Sequence, residues 1–263
     1  MEFAYYPGCT LKTQGKALDR TARACAEHLG FSLVELPQWQ CCGGVYPQST
    51  DEIAVRLSSV RALSAARDQG RTLVTLCSAC HNVIKRVNLD MKNNPEIRDK
   101  VNRYIAPAAP YSGETRVIHY LQILRDYVGF DNLRNQVVHP LVGMQVGAYY
   151  GCLLLRPGKD MELDDPENPH ILEDFIRALG ADPVYYGQRN ECCGGYQALE
   201  NPNQAVRRST AVADNARASG AEILVTACPL CQYNLTKNAL RPVKTVYFTE
   251  LLAQALGIEE ASE

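Results

Sequence analysis

The sequence lacks several features that would assign it to common functional classes. No window approaches the roughly 18 uninterrupted apolar residues of a membrane-spanning helix, so direct membrane insertion is not expected. The formal net charge is -2 with acidic and basic residues interspersed, so nothing indicates a nucleic-acid partner. The chain opens with Met1-Glu2-Phe3 and shows no export signal, so we expect a cytoplasmic location.

Two redox motifs are also missing. The chain has no glycine-rich dinucleotide fingerprint, so we expect no bound flavin or nicotinamide on it. It has no C-x-x-C-x-x-C run of the ferredoxin type either. Any flavin, nicotinamide or cubane cluster that serves this protein is therefore expected on other chains.

Cysteine, in contrast, is plentiful and regularly spaced, because ten of the 11 cysteines fall into two copies of one pattern. The first copy is Cys9, Cys41, Cys42, Cys77 and Cys80, and the second is Cys152, Cys192, Cys193, Cys228 and Cys231. In both copies the adjacent pair is followed by two glycines, and 34 residues separate the pair from the C-x-x-C doublet. The spacers after the first cysteine, 31 and 39 residues, differ as an inserted loop would allow. The pattern indicates a duplication with two equivalent sites.

The two halves also match in their predicted secondary structure. Strand-like runs precede the first cysteine, the cysteine pair and the doublet of each copy, and helical periodicity lies between them. Helices are predicted over 14–29, 51–69 and 121–128 and over 169–179, 203–219 and 249–256, and strands over 73–76, 117–120, 223–227 and 245–248. Alternating strands and helices predict an α/β fold with two pseudo-symmetric repeat domains. Each would be a small parallel sheet with flanking helices and a cysteine-rich site at the carboxyl ends of the strands.

The predicted domains are unequal. The first covers residues 1–130, a linker covers 131–145, and the second domain covers 146–263. Residues 81–115 are much longer than the matching 232–243 and contain three prolines. The simplest interpretation is a helical insertion with a proline-bearing loop in the first domain.

The cysteine pattern favours a metal site, and two metals are open. A structural zinc site closes with four ligands, whereas each half here offers five cysteines. Thiolate-rich sites suit iron–sulfur clusters as readily as zinc. Adjacent cysteines can converge on one centre only where the backbone bends sharply, and Gly43-Gly44 and Gly194-Gly195 supply that freedom. Spacing alone leaves the choice between an atypical cluster and zinc open.

The duplicated C…CCG…C-x-x-C pattern resembles the B-type polypeptide of heterodisulfide reductase, and the resemblance covers nearly the whole chain. It implies that each domain holds a noncubane [4Fe-4S] cluster through its five cysteines. It also implies that the disulfide of coenzyme M and coenzyme B, or a related one, is split between the two clusters. Electrons would arrive from a small ferredoxin-like iron–sulfur subunit of the C type, which a flavoprotein of the A type supplies.

Two other interpretations remain. Similar cysteine-rich domains occur in iron–sulfur electron-transfer subunits of anaerobic dehydrogenases and quinone-linked complexes. Many of those carry a fused ferredoxin-like segment or one degenerate motif, and this chain has neither feature, which favours a disulfide reductase. A zinc-bound scaffold is the third interpretation.

A few residues outside the pattern are candidates for substrate contact. His81 follows Cys80 directly, and Lys12, Arg156 and Lys159 follow the first cysteine of each copy. Basic side chains in such loops could pair with anionic groups of a substrate. Cys25, in contrast, lies on the apolar face of its helix and aligns with Phe175, which predicts core packing.

Overall fold

The protein is described by a computed structural model over residues 1–44 and 51–258. It contains two four-stranded parallel sheets with the strand orders β2-β1-β3-β4 and β6-β5-β7-β8. The strands are β1 (Glu2–Tyr6), β2 (Ser32–Glu35), β3 (Leu73–Thr75), β4 (Val117–His119), β5 (Gln145–Tyr149), β6 (Asp182–Val184), β7 (Ile223–Thr226) and β8 (Lys244–Tyr247). The predicted fold class is confirmed, since two equivalent parallel sheets carry flanking helices.

Helices connect these strands. They are α1 (Gly8–Lys12), α2 (Lys16–His28), α3 (Ala54–Asp68), α4 (Ser78–Asn93), α5 (Pro95–Ile105), α6 (Tyr120–Ile123), α7 (Phe130–Gln136), α8 (Gly158–Met161), α9 (Ile171–Ala178), α10 (Pro202–Ala218), α11 (Pro229–Lys237) and α12 (Phe248–Leu256). A π-helical turn over Leu124–Val128 continues α6. The sequence does not predict the short helices α1 and α8, because four or five residues are too few to show a helical period.

The sheet registers make the two halves correspond residue by residue. In the first sheet Tyr6 pairs with Thr75 and Thr75 with His119. In the second, Tyr149 pairs with Thr226 and Thr226 with Tyr247. The first cysteine of each copy therefore follows the end of a central strand, as the duplication predicts.

The region between the doublet and the last strand differs between the halves. In the first half it contains the long helix α4 and the additional helix α5, where the second half has only α11. Within the predicted linker 131–145, α7 occupies residues through 136 and β5 begins at Gln145. The boundaries of the two domains stay a prediction.

The two halves share one hydrophobic core. Phe248 of α12 lies 5.6 Å from Tyr120 and 6.1 Å from Phe175, measured between ring centroids. Cys25 is fully buried in this core, and its Sγ lies 3.8 Å from the carbonyl oxygen of Thr249 in the other half. Core packing of Cys25 is thus confirmed. Across the described ranges, no helix combines the length and apolarity needed to cross a membrane.

Candidate metal-binding site

The C-x-x-C doublets lie where buried parallel strands end and helices begin. Cys77 and Cys228 are extended residues immediately before α4 and α11. The third residue after each of them, Cys80 or Cys231, is in the first helical turn. Residues three apart share a helix face, so the two thiols of a doublet point to the same side. Backbone N–H groups at a helix start also favour a thiolate there.

In the first half the predicted cysteines come together. The Sγ atoms of Cys9 and Cys41 are 3.5 Å apart, and those of Cys42 and Cys80 are also 3.5 Å apart. The thiols of Cys228 and Cys80 lower the pKa of Cys77 well below its ordinary value. Cys9 and Cys41 are exposed, whereas the other three are buried. One side of this cluster of thiols therefore faces solvent.

The second half repeats the arrangement with more cover. The Sγ atoms of Cys193 and Cys231 are 3.6 Å apart, and the Gly194 N–H donates to the Cys192 Sγ over 3.3 Å. All five cysteines of the second copy line one small cavity. Cys152 and Cys192 are half-buried, whereas their equivalents Cys9 and Cys41 in the first half are exposed.

The sulfur geometry separates the roles that these thiols can take. All 11 cysteines are free, and the 3.5–3.6 Å separations are far from the roughly 2.05 Å of a disulfide bond. Among residues 1–44 and 51–258, no three His, Cys, Asp or Glu side chains converge to hold a single metal ion. A closed zinc site would need four such ligands around one ion. Sets made only of cysteine suit an iron–sulfur cluster, which binds through cysteine thiolates.

Two glycines allow this close grouping of sulfurs. Gly8 has a φ of +77°, and a Cβ atom there would lie 2.8 Å from the Cys80 Sγ. Gly151, its equivalent, has a φ of +64°, and its Cβ would lie 3.2 Å from the Cys231 Sγ. A side chain at either position would strain the backbone and displace a cysteine of the site.

A buried tyrosine supports each cysteine pair. Tyr6 donates its hydroxyl to the carbonyl of Gln40, which precedes Cys41, and Tyr149 donates to Glu191, which precedes Cys192, over 2.7 Å. Burial, followed by the nearby cysteine charges, raises the pKa of both tyrosines, so they remain donors. The strand pattern indicates only packed residues at these positions. Their repeated offset, three residues before the first cysteine of each copy, is the signal that could identify them.

Hydrogen bonds within each site favour the thiolate form at Cys42 in the first half and at both Cys192 and Cys193 in the second. Contacts from the thiols of Cys41 and then Cys80 lower the pKa of Cys42 to about 4. In the second half, the contact from Cys152 lowers the pKa of Cys192 to about 6, and the Gly194 N–H acts in the same direction. The thiolate is the form that binds metal.

The two sites meet at the junction of the halves. The doublets of the two halves meet through Ser78, whose backbone N–H donates to the carbonyl of Ala227 over 3.2 Å. The Ser78 hydroxyl donates to the carbonyl of Ala227 over 2.7 Å. The Tyr196 hydroxyl donates to the Gly44 carbonyl over 3.2 Å. This bond links the loops that follow the two cysteine pairs. Sequence reasoning missed Tyr196 because its equivalent in the first copy is Val45, which is not aromatic.

The predicted substrate residues are held in internal contacts. His81 is fully buried, with its Nδ1 3.2 Å from the Thr75 hydroxyl. Lys12 forms an ion pair with Glu35 at 2.6 Å. Arg156 donates to the carbonyl of Asn190 over 2.7 Å. A substrate role for these three stays a prediction, and the burial of His81 argues against it for that residue.

Comparisons with known proteins agree with the fold. The family model described as "CCG: Cysteine-rich domain" matches residues 3–85 and 146–236, and the chain belongs to this family. The chain is 30% identical to the 8-methylmenaquinol:fumarate reductase membrane anchor subunit of Wolinella succinogenes, over 98% of this chain and 93% of that protein. It is 25% identical to the B-type polypeptide of a ferredoxin/F(420)H(2)-dependent CoB-CoM heterodisulfide reductase from Methanosarcina acetivorans, over 97% of this chain and 89% of that one.

A solved structure shows the same fold. A hypothetical protein from Helicobacter pylori superimposes with a TM-score of 0.76 at 13% identity. The match covers 98% of this chain and 49% of the other, so the chain spans about half of that structure's length. At this identity the likeness concerns the fold alone.

Proposed function

We propose that the ten patterned cysteines hold two noncubane [4Fe-4S] clusters, one in each half, and that the chain is the disulfide-reducing subunit of an oxidoreductase complex. The proposed ligands are Cys9, Cys41, Cys42, Cys77 and Cys80 for one cluster and Cys152, Cys192, Cys193, Cys228 and Cys231 for the other. The substrate is a disulfide such as that of coenzyme M and coenzyme B. The proposed partners are a small ferredoxin-like iron–sulfur subunit and a flavoprotein.

The contact between the doublets of the two halves is the main support for this function. Reductive cleavage of a disulfide follows R–S–S–R′ + 2e⁻ + 2H⁺ → RSH + R′SH. It therefore needs two electrons and produces two thiols. When bound, an iron–sulfur cluster supplies one electron at a time and an iron that can take a thiolate. Ser78, next to Cys77, donates its hydroxyl and its N–H to the carbonyl of Ala227, next to Cys228, and these contacts would put two such centres side by side. Each substrate sulfur would then have its own centre.

The chain's own side chains would orient the substrate and exclude water. Apolar groups line the second cysteine cavity together with the hydroxyl-bearing Tyr150, Tyr196 and Ser78. Leu153 and Leu230 form its apolar wall. A dry wall strengthens the electrostatic contacts of a bound thiolate. Protons for the two leaving thiolates would come from water at the exposed side, near Cys9 and Cys41.

An electron-transfer role is the second candidate. One observation favours it: the relative from Wolinella succinogenes, at 30% identity over almost the whole chain, is named as a subunit of a methylmenaquinol-linked fumarate reductase. In that case the same two clusters would pass electrons between partner chains and a quinone. No disulfide would be cleaved.

Metal analysis of the anaerobically purified protein tests the cluster assignment. Two four-iron clusters predict about eight iron and eight sulfide per chain. Two zinc ions per chain without sulfide would contradict the proposal. This measurement requires neither the substrate nor the partner.

Turnover assays separate the two functions. Reduced methyl viologen, an artificial one-electron donor, should drive cleavage of the heterodisulfide by the isolated protein, whereas NADH or NADPH alone should not. Turnover with a nucleotide and no partner would contradict the separate electron supply. Inactivity with every disulfide tested, together with rapid transfer to a menaquinone analogue in a partner complex, would establish the second candidate instead.

A further inference from the structure

A groove lies between the two halves, beside the candidate metal sites. It has a volume of about 520 Å³, and its walls are α2 with the preceding turn on one side and α11 on the other. Its lining includes Thr10, Leu18, Tyr233, Thr236 and Lys237. Thr10 follows Cys9, and Pro229 and Leu230, between Cys228 and Cys231, also line it. We call it the open groove.

The equivalent surface in the other half is filled by the chain itself. The doublets align α11 with α4, so Tyr233 corresponds to Asn82. The Asn82 amide donates to the carbonyl of Arg156 over 2.7 Å, and Lys85 donates to the carbonyl of Met161. Met161, the last residue of α8, is fully buried there. These contacts come from the longer spacer of the second copy.

Exposure shows the consequence for the two surfaces. Asn82 is 2% exposed, whereas Tyr233 is 61% exposed. His81 is fully buried, whereas its equivalent Gln232 is only half-buried. Within residues 1–44 and 51–258, the same helix face is therefore covered in one half and uncovered in the other. The short spacer after Cys9 has no counterpart of α8 among its described residues to cover it.

We infer that the open groove docks a short polypeptide segment of the partner chain that delivers electrons, in the place that α8 takes in the other half; this inference rests on the proposed function. In the other half, α4 binds the covering segment through hydrogen bonds to its backbone carbonyls, and the apolar side chain of Met161 is buried there. In that half the Nε atom of Arg86 on α4 lies 3.9 Å from the Oδ2 atom of Asp160 on α8. Lys237 on α11 is the equivalent of Arg86. The docked segment should thus carry an apolar residue and an acidic residue that pairs with Lys237.

The position of the groove suits electron delivery. Its wall begins at residues directly bonded to Cys9 and Cys228, one cysteine from each copy. A segment bound there would hold its own chain against both sites at once. A partner held by its backbone needs only shape and a few donors, so a largely apolar groove with scattered hydroxyls is suitable.

Site-specific crosslinking tests the docking in the cluster-loaded protein. A photoreactive benzoylphenylalanine is placed at position 233, and as a matched control at position 104, where the exposed Tyr104 lies on α5 away from the groove. The probe is a purified ferredoxin-like iron–sulfur chain of the proposed partner class, loaded with its clusters. Position 233 should crosslink to one partner segment that contains an acidic residue, and position 104 should not.

Binding measurements provide the second readout. Tyr233→Asp and Thr236→Arg should each raise the dissociation constant for the partner at least tenfold, and Tyr104→Asp should change it less than twofold. Both positions in the groove are exposed, so the variants should fold. The inference is overturned by absence of binding to the unaltered protein, by unchanged affinity of both variants, or by crosslinks to a second copy of this chain. Binding of the disulfide substrate at position 233, in place of the partner, would also overturn the inference.

Failure of this inference can be told apart from failure of the proposed function. Docking and crosslinking need no disulfide, and cleavage driven by methyl viologen needs no partner. Tyr233→Asp should keep the viologen-driven rate while it loses electron transfer from the partner chain. Intact docking without any disulfide cleavage would count against the proposed function alone.

Discussion

The two cysteine sites share a contact between the cysteine pair and the doublet, and they differ in their surroundings. In both halves an Sγ–Sγ distance of 3.5–3.6 Å joins the pair to the doublet, and a buried tyrosine supports the pair. In the first half Cys9 and Cys41 are exposed, whereas the equivalent Cys152 and Cys192 are half-buried. The cysteine positions stayed the same after duplication, while the cover changed.

The ion pairs of the two halves differ in burial in the same way. In the first half Glu35 binds Lys12 and Arg23 near the surface, with the carboxylate 30% exposed. In the second half Glu173 and Arg189 form a buried pair at 2.5 Å, with the carboxylate fully buried. Duplicated halves can thus differ in stability and access while their cysteine patterns remain equivalent.

The largest effect is expected when one cysteine of a pair is removed. Cys42→Ser and Cys193→Ser should each lower the iron content from about eight to about four per chain and abolish two-electron disulfide cleavage. Iron analysis and the viologen-driven assay measure both effects. Cys25→Ala is the matched control and should keep all the iron. Full turnover by either serine variant would show that one site suffices.

The next effect concerns the buried ion pair. Glu173→Ala leaves Arg189 buried without its partner and should lower the free energy of unfolding by about 3 to 5 kcal/mol. Glu35→Ala should cost about 1 kcal/mol or less, because its partners stay hydrated. Urea denaturation followed by circular dichroism measures both values. Equal losses for the two variants would contradict the difference in burial between the halves.

Alanine at the glycines beside the doublets should separate steric from conformational cost. Gly8→Ala, Gly151→Ala and Gly30→Ala share a left-handed backbone penalty of about 1 to 2 kcal/mol. Only the first two place a Cβ against a cysteine of the site, and Gly8→Ala does so more closely. Bound iron should therefore fall most in Gly8→Ala, less in Gly151→Ala and not in Gly30→Ala. Iron loss in Gly30→Ala would show that backbone strain alone explains the result.

The supporting tyrosines should behave alike in the two halves. Tyr6→Phe and Tyr149→Phe each leave a carbonyl before the cysteine pair without its donor, at a cost of about 1 to 3 kcal/mol. The cluster's electron paramagnetic resonance signal in the altered half should shift as well, because the pair's backbone is no longer held. A normal signal together with unchanged stability in Tyr6→Phe would mean that this hydrogen bond does not support the site.

The smallest effect near neutral pH concerns Cys25, which lies where the second half has the non-ionising Phe175. Burial raises the pKa of the Cys25 thiol to about 12. In the unfolded chain this thiol ionises near pH 8.5, so the folded state binds more protons above that pH. Stability is then complete below about pH 8.5 and is lost as the pH rises toward 12.

The Cys25→Ala variant isolates this contribution. Between about pH 8 and 9.5 the unaltered protein should lose about 1 kcal/mol more unfolding free energy than the variant does. Urea titrations at the two pH values measure the difference. Parallel losses would show that the Cys25 thiol ionises equally in both states.

The pattern of the sequence determined the fold class and the two equivalent cysteine sets. The periodicity of strands and helices is a local property of the sequence. The covalent chain also fixes the spacing from each cysteine pair to its doublet, Cys41-Cys42 to Cys77 and Cys192-Cys193 to Cys228. Parallel strands bring their carboxyl ends to one edge, so these spacings were sufficient to predict that the cysteines would gather. The short helices α1 and α8 were too brief to leave a periodic signal.

Tertiary packing decided what these local patterns could not. His81 follows a cysteine and looks functional in the sequence, yet it is buried because α4 turns it toward Thr75. The hydrogen bond from Ser78 to Ala227 joins residues about 150 positions apart and depends on the shared core, where Phe248 packs on Tyr120. Long-range packing also decides that α8 covers one face of α4, whereas the equivalent face of α11 is exposed at Tyr233. Such contacts follow from the burial of apolar surface across the whole chain, which no local window of sequence contains.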